Sequence, residues 1–186
     1  MLILASRSPR RQEILSRAGI PHLVQPAEVD ESALPGETPE AHVARLARAK
    51  AEAIHASETD IVLGADTVVV QADLIMGKPA DKEDARRMLA RLAGREHRVI
   101  TGICLRRGAQ VAEAIETTCV RFSPMTEAEI DEYVASGEPM DKAGGYAIQG
   151  LASKFIDRIE GCYFNVVGLP VARVYLLLRQ LSATTG

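Results

Sequence analysis

The chain has 186 residues, 47% of them hydrophobic and 25% charged, with 22 Lys+Arg against 25 Asp+Glu and a formal net charge of −3. That is the composition of one globular domain, or of two small lobes sharing a core, and a chain of this size buries about 70% of its extended surface without a disulfide or metal staple. The charge gives no global attraction to nucleic acid, 4% aromatic residues with no Trp offer no stacking platform for single strands, and no apolar run approaches the roughly 20 residues of a membrane span.

Met1 to Arg7 lacks the basic-then-apolar plan of a signal peptide, so a cytoplasmic protein is expected. Cys104, Cys119 and Cys162 show no Cys-x-x-Cys spacing and read as buried reduced thiols.

In chain order, Leu2-Ile3-Leu4-Ala5 predicts a short buried strand. Ser8-Pro9 reads as the cap and first residue of a helix with Ile14, Leu15 and Ala18 on one face, ending at Gly19. Pro26 to Gly36 is an acidic loop carrying Glu28, Asp30 and Glu31. Thr38-Pro39-Glu40 opens a second helix that runs through Lys50 to about Ala56. Ile61 to Val70, apolar on both faces, predicts a central strand. A third helix spans Asp81 to Leu92 and ends near Gly94. His97 to Leu105 and Val111 to Phe122 form a long hairpin, and the capping box Thr126-Glu127-Ala128-Glu129 starts a helix to about Ala135. Gly137 to Gly150 is the richest turn region, Phe155 to Ile159 a strand, and Pro170 to Leu181 a closing apolar helix. Val171, Val174, Leu177 and Leu178 of that helix fit a core and a dimer surface equally. The order predicts one α/β domain over residues 1–186, with two lobes around a cleft.

Several residues carry chemistry. Ser6-Arg7-Ser8-Pro9-Arg10-Arg11 lies at a strand-to-helix junction, where free N–H groups and forked guanidinium donors suit a phosphate. Arginines at the positive end of a helix dipole otherwise need a compensating partner. Asp66 stands where a buried strand runs out, and reads equally as a metal ligand or general base and as a turn aspartate beside Thr67. Lys78, in the stiff turn Gly77-Lys78-Pro79, could offer a point charge to phosphate. Lys50 sits late on a helix, where the dipole also favours a surface lysine. His22, His42, His55 and His97 show no metal spacing and read as surface or capping residues. Gly144-Gly145 and Gly150 flank Tyr146 and Gln149, a loop that lets backbone approach a flat ligand while the Gln149 amide meets a base edge. Together these features fit a metal-bound nucleotide polyphosphate.

Leu4-Ala5-Ser6-Arg7-Ser8-Pro9-Arg10-Arg11-Gln12-Glu13-Ile14-Leu15 resembles the opening signature of the Maf proteins, nucleoside triphosphate pyrophosphatases. The similarity continues through Leu46 to Lys50, Gly64 to Val69, Gly77 to Pro79, Asp141 to Gly150 and Asn165 to Pro170. The resemblance implies an elongated α/β fold with a mixed sheet, flanking helices and two lobes around a deep cleft, as in Maf and ITPase-like proteins, and a homodimer. It implies cleavage of dTTP and UTP, or of modified pyrimidine nucleotides, to the monophosphate and pyrophosphate with a divalent cation (Mg²⁺, Mn²⁺ or Co²⁺). By position, Asp66 corresponds to the proton acceptor, Ser6, Arg11, Lys50 and Lys78 to phosphate-binding residues, and Glu31 with Asp66 to the metal ligands, Asp30 being the alternative in the acidic loop. Arg10, Thr67 and Gln149 resemble the dTTP/UTP branch. The branch acting on 7-methyl-GTP has a bulky residue after Ser-Pro, Gln after the aspartate and Glu at the Gln149 position. A pyrophosphatase for another modified nucleotide, and a nucleotide-sensing regulator of septum formation, are the alternatives.

Overall fold

In the computed structural model, which describes residues 1–183, the first apolar run is strand β1 (Leu2–Leu4), buried on both faces. It lies between β2 (His22–Val24) and β3 (Ile61–Gln71), parallel to both, with Leu2 opposite His22 on one side and Ile61 on the other. The sheet is seven-stranded and mixed, in the order β2-β1-β3-β5-β6-β7, with β5 (Glu96–Arg107), β6 (Gln110–Phe122) and β7 (Ile156–Glu160). The short β4 (Leu74–Met76) pairs antiparallel with β3. Between them Ala72 and Asp73 both take positive φ, the left-handed turn geometry that suits a two-residue hairpin connection.

The chain divides into two compact units. The first comprises residues 1–67, 101–116 and 168 onward, the second residues 68–100 and 117–167, so β3, β5 and β6 contribute residues to both.

In the first unit, α1 (Pro9–Arg17) starts with Pro at its first turn, as expected, although Ser8 makes no side-chain cap. The hydroxyl at this entrance belongs to Ser6, whose Oγ accepts the Ser8 N–H at 3.2 Å. The longer α2 (Pro39–Glu52) is capped by the Thr38 hydroxyl, which accepts the Ala41 N–H, and it ends four residues before the expected Ala56. Arg106 donates to the Ile54 carbonyl at 2.7 Å and to that of Ala51, occupying acceptors at the helix end. Ile3, Ala5, Ala47, Ala51, Ile54, Val62 and Cys104 form the core between α2 and the sheet. Burial pushes the Cys104 thiol up to about 12, so it is an inert core residue. Cys119 and Cys162 are only half-buried, and no disulfide joins the three. In α6 (Val171–Ala183), Val174 is buried while Leu177 and Leu178 are half-buried.

Glycine decides how closely α2 approaches the sheet. A Cβ at Gly64 would lie 2.0 Å from the Ala47 carbonyl oxygen, and one at Gly102 2.3 Å from that of Val43. Both obstacles are backbone, so no rotamer relieves them.

In the second unit, α3 (Lys82–Leu92) is capped by Asp81 and α4 (Glu127–Ala135) by the predicted Thr126–Glu129 capping box. They pack with Val99, Val120, Phe122 and Phe155 into a separate core. Inside it His97, Phe122 and Tyr146 meet edge to face, with centroids 4.9 to 5.3 Å apart. His97 Nε2 lies 2.8 Å from the Tyr146 hydroxyl, and Nδ1 is buried without a partner. His42 is also buried, so two of the four histidines expected at the surface or in caps are buried residues. The five-residue α5 (Tyr163–Val167) brings in Asn165, whose amide donates to the Val99 carbonyl and the Thr118 hydroxyl.

Gly64→Ala forces α2 off β3 and should cost about 1–3 kcal/mol or more in urea unfolding, as overpacking against fixed backbone does. In the second core, burial pushes His97 down to about 4 from 6.5. The unfolded chain therefore binds a proton that the folded chain refuses as pH falls through this window. Stability present above about 6.5 is lost toward 4, on the order of 3 kcal/mol. Urea midpoints at pH 7 and 4.5 should show this acid sensitivity reduced in His97→Phe.

Candidate active site

Strand β3 carries Asp66 at a position where the chain is still buried, and α2 carries Lys50 in its last turn. Because Gly64 lets the helix lie against the strand, Lys50 Nζ reaches Asp66 Oδ1 at 2.7 Å, with each residue only 8% exposed. Lys50 is thus no surface lysine serving the helix dipole. The same Nζ meets Glu31 Oε1 at 2.7 Å from the acidic loop. Asp30, the neighbouring alternative, accepts the Ser32 N–H at 2.9 Å instead. Hydrogen bonding to Ser32 holds its carboxyl below the usual carboxylate range.

Arg11, in the first turn of α1, points inward and is 9% exposed. Its Nε donates to the Gly168 carbonyl at 2.8 Å. Nη1 donates to the Ala65 carbonyl at 2.8 Å and to Ser6 Oγ at 3.2 Å, and Nη2 to Thr67 Oγ1 at 3.0 Å. Four of five N–H donors are engaged, so at most one remains for a phosphate. Burial lowers the guanidinium pKa, with Asp66 and Glu31 opposing that shift. The compensation required for an arginine at a helix start is therefore a set of carbonyls and hydroxyls together with two carboxylates.

Thr67 Oγ1 also lies 2.9 Å from Thr101 Oγ1, a fully buried hydroxyl on β5. Arg10 is half-buried. Ser6, Arg11 and Thr67 thus form one hydrogen-bonded group and Glu31, Lys50 and Asp66 another, the two joined in the first unit by the charge of Arg11 on both carboxylates.

Lys78 and Gln149 belong to the second unit, and both are exposed. The Gly144 N–H donates to the Gly77 carbonyl at 3.0 Å, tying the glycine loop to the Lys78 turn. Gly144 has a φ of +68°, and a Cβ there would strike Val69 at 2.8 Å, so both the turn and the packing demand glycine. Glu138 steadies the segment around Gln149 by accepting from the Tyr133 hydroxyl at 2.7 Å and the Leu151 N–H at 3.1 Å.

Glu31 and Asp66 already share one cation, the Lys50 ammonium, and supply hard carboxylate oxygens. Such a pair fits a Mg²⁺- or Mn²⁺-type ion that completes its shell with phosphate oxygens and water.

The family model described as Maf-like protein matches residues 1–181. The chain belongs to the Maf family. It is 52% identical over 184 residues to the dTTP/UTP pyrophosphatase of Anaeromyxobacter sp. (strain Fw109-5), covering 96% of this chain and 88% of that one. It is 48% identical over 187 residues to the dTTP/UTP pyrophosphatase of Pseudoalteromonas atlantica, covering 98% and 97%. A solved structure of the Staphylococcus aureus Ham1 protein overlaps with 65% of this chain and 71% of its own, at a TM-score of 0.43 and 14% identity.

Within this Maf cluster, Thr101 and the Gly168 carbonyl are partners that sequence reasoning missed. Thr101 sits in an apolar strand and carries no local signal. Gly168 acts through its backbone, 157 positions from Arg11. Thr67→Val removes the acceptor of Arg11 Nη2 and the partner of Thr101. It should cost about 1–3 kcal/mol in urea unfolding, whereas Thr67→Ser, which keeps the hydroxyl, should cost clearly less.

Proposed function

We propose that this chain hydrolyses dTTP and UTP to the nucleoside monophosphate and pyrophosphate. The observation that carries the reading is the Glu31–Lys50–Asp66 cluster beside Arg11, in a Maf chain about 50% identical to proteins named dTTP/UTP pyrophosphatase. Lys50 and Arg11 balance Glu31 and Asp66, so the four side chains sum to no net charge. A triphosphate brings several negative charges to that cluster, which supports a requirement for a divalent cation. Held by Glu31, Asp66 and phosphate oxygens, the cation would neutralise charge and polarise the phosphoryl group.

The protein's own part is positioning and proton transfer. Asp66 orients a water and takes its proton as the water oxygen bonds to the α-phosphorus. The bond from the α-phosphorus to the bridging oxygen breaks, and pyrophosphate leaves. Lys50 holds the Asp66 carboxylate aimed through their 2.7 Å contact. Ser6 and the remaining donor of Arg11 contact phosphate oxygens, and Lys50 and Lys78 offset charge on the departing group. For the base, the Gln149 amide donates to O4 and accepts the N3–H of uracil or thymine, with Arg10 and Thr67 as the other residues of the pyrimidine branch. We place the enzyme in the cytoplasm as a homodimer.

The test is pyrophosphate release from dTTP, UTP, CTP, dATP, GTP and 7-methyl-GTP, with Mg²⁺ and with chelator. Asp66→Asn should lose about 10² to 10⁴ in rate, the usual worth of a general base. Gln149→Glu should erode the preference for dTTP and UTP. Preferential turnover of 7-methyl-GTP would overturn the specificity, and nucleotide binding without turnover would favour a sensing regulator of septum formation.

A further inference from the structure

Glu31 presents a puzzle of placement. Its side chain is 58% exposed on a segment without helix or strand, yet its carboxylate sits 2.7 Å from Lys50 Nζ. The restraint lies immediately after it. Arg45, one and a half turns before Lys50 on α2, donates from Nη2 to the Ser32 carbonyl at 3.0 Å. The same guanidinium grips Glu37 with both arms, Nε to Oε1 at 2.6 Å and Nη2 to Oε2 at 2.8 Å. Glu37 Oε2 in turn accepts the Leu34 N–H at 3.1 Å, and His42 Nδ1 lies 3.0 Å from it. The Glu37 side chain is only 6% exposed and that of His42 7%. A buried carboxylate gripped by a forked cation is built to hold one geometry, and an ammonium could not reproduce the fork.

Two backbone groups of the loop, one and three residues past Glu31, are thereby fastened to the helix that presents Lys50. The geometry points to Glu37 and Arg45 as positioning residues of the reaction, a strut through which α2 holds the Glu31 carboxylate at the Lys50–Asp66 pair. This rests on the pyrophosphatase reading above. The strut reaches the Lys50–Asp66 pair by contact through Glu31, while Arg45 also meets Asp66 by charge alone, an interaction that Arg45→Lys keeps.

That route gives a test in two parts. Arg45→Lys keeps the charge but cannot hold both Glu37 oxygens and the Ser32 carbonyl together. It should lower dTTP turnover about tenfold or more in the parent protein, yet less than about threefold in a Glu31→Ala background, because the strut then has nothing to place. Glu37→Gln, which keeps the shape, should show the same dependence on Glu31. Independently of activity, the Leu34 amide should exchange with deuterium at least about tenfold faster in Glu37→Gln, with the central α2 amides unchanged. Equal losses from Arg45→Lys in both backgrounds would overturn the proposal, as would a Leu34 amide indifferent to Glu37→Gln. A parent protein that turns over no nucleoside triphosphate would instead sink the pyrophosphatase reading, and the exchange result would then decide the strut by itself.

Discussion

At Gly64 and Gly102 the sheet comes so near to α2 that a single methyl group would meet the Ala47 or Val43 carbonyl well inside contact distance. That approach sets the reach of Lys50, and so the 2.7 Å ion pair with Asp66. Taking two charges out of water costs several kcal/mol for each ion, recovered only when the geometry is close and other partners help. Here Glu31 supplies a second carboxylate to the same ammonium. The pair is therefore poor evidence for stability and better understood as a device that holds a carboxylate in one place.

Arg11 follows the opposite logic from an arginine reaching out to bind an anion. Most of its donors are spent on Ala65, Gly168, Ser6 and Thr67, so it is a fixed positive charge that acts on Asp66. Thr67 and Thr101 extend its hydrogen-bond network along β3 and β5. A change at Thr67 thus alters how a buried guanidinium is held.

Local chemistry made the larger elements legible. Pro9 marked the start of α1, Thr126 and Glu129 that of α4, and the doubly apolar run from Ile61 that of the central strand. The three-residue strands β2 and β4 and the five-residue α5 were missed, because periodicity needs more residues than they contain. Lys50 and His97 are buried by helix and strand packing that no neighbouring residue announces. Asp30 and Glu31 could not be separated by sequence because the choice depends on which one turns toward Lys50 and which closes on Ser32. Arg45 and Glu37 carry no local signal in the sequence, and their part shows only when the loop's backbone groups are seen to rest on them.

The first unit is drawn from three separated stretches of chain, the last starting at Gly168. A ribosome releases Arg11 among the first residues and the Gly168 carbonyl that receives its Nε only 157 positions later. Until then the arginine has Ser6, Ala65 and Thr67 to hold it but lacks the acceptor of its Nε. The Arg11 Nε–Gly168 bond is consequently among the last of the cluster's contacts to close, and a chain that stops before Gly168 would lose that bond while α1, α2 and β3 stay intact in sequence.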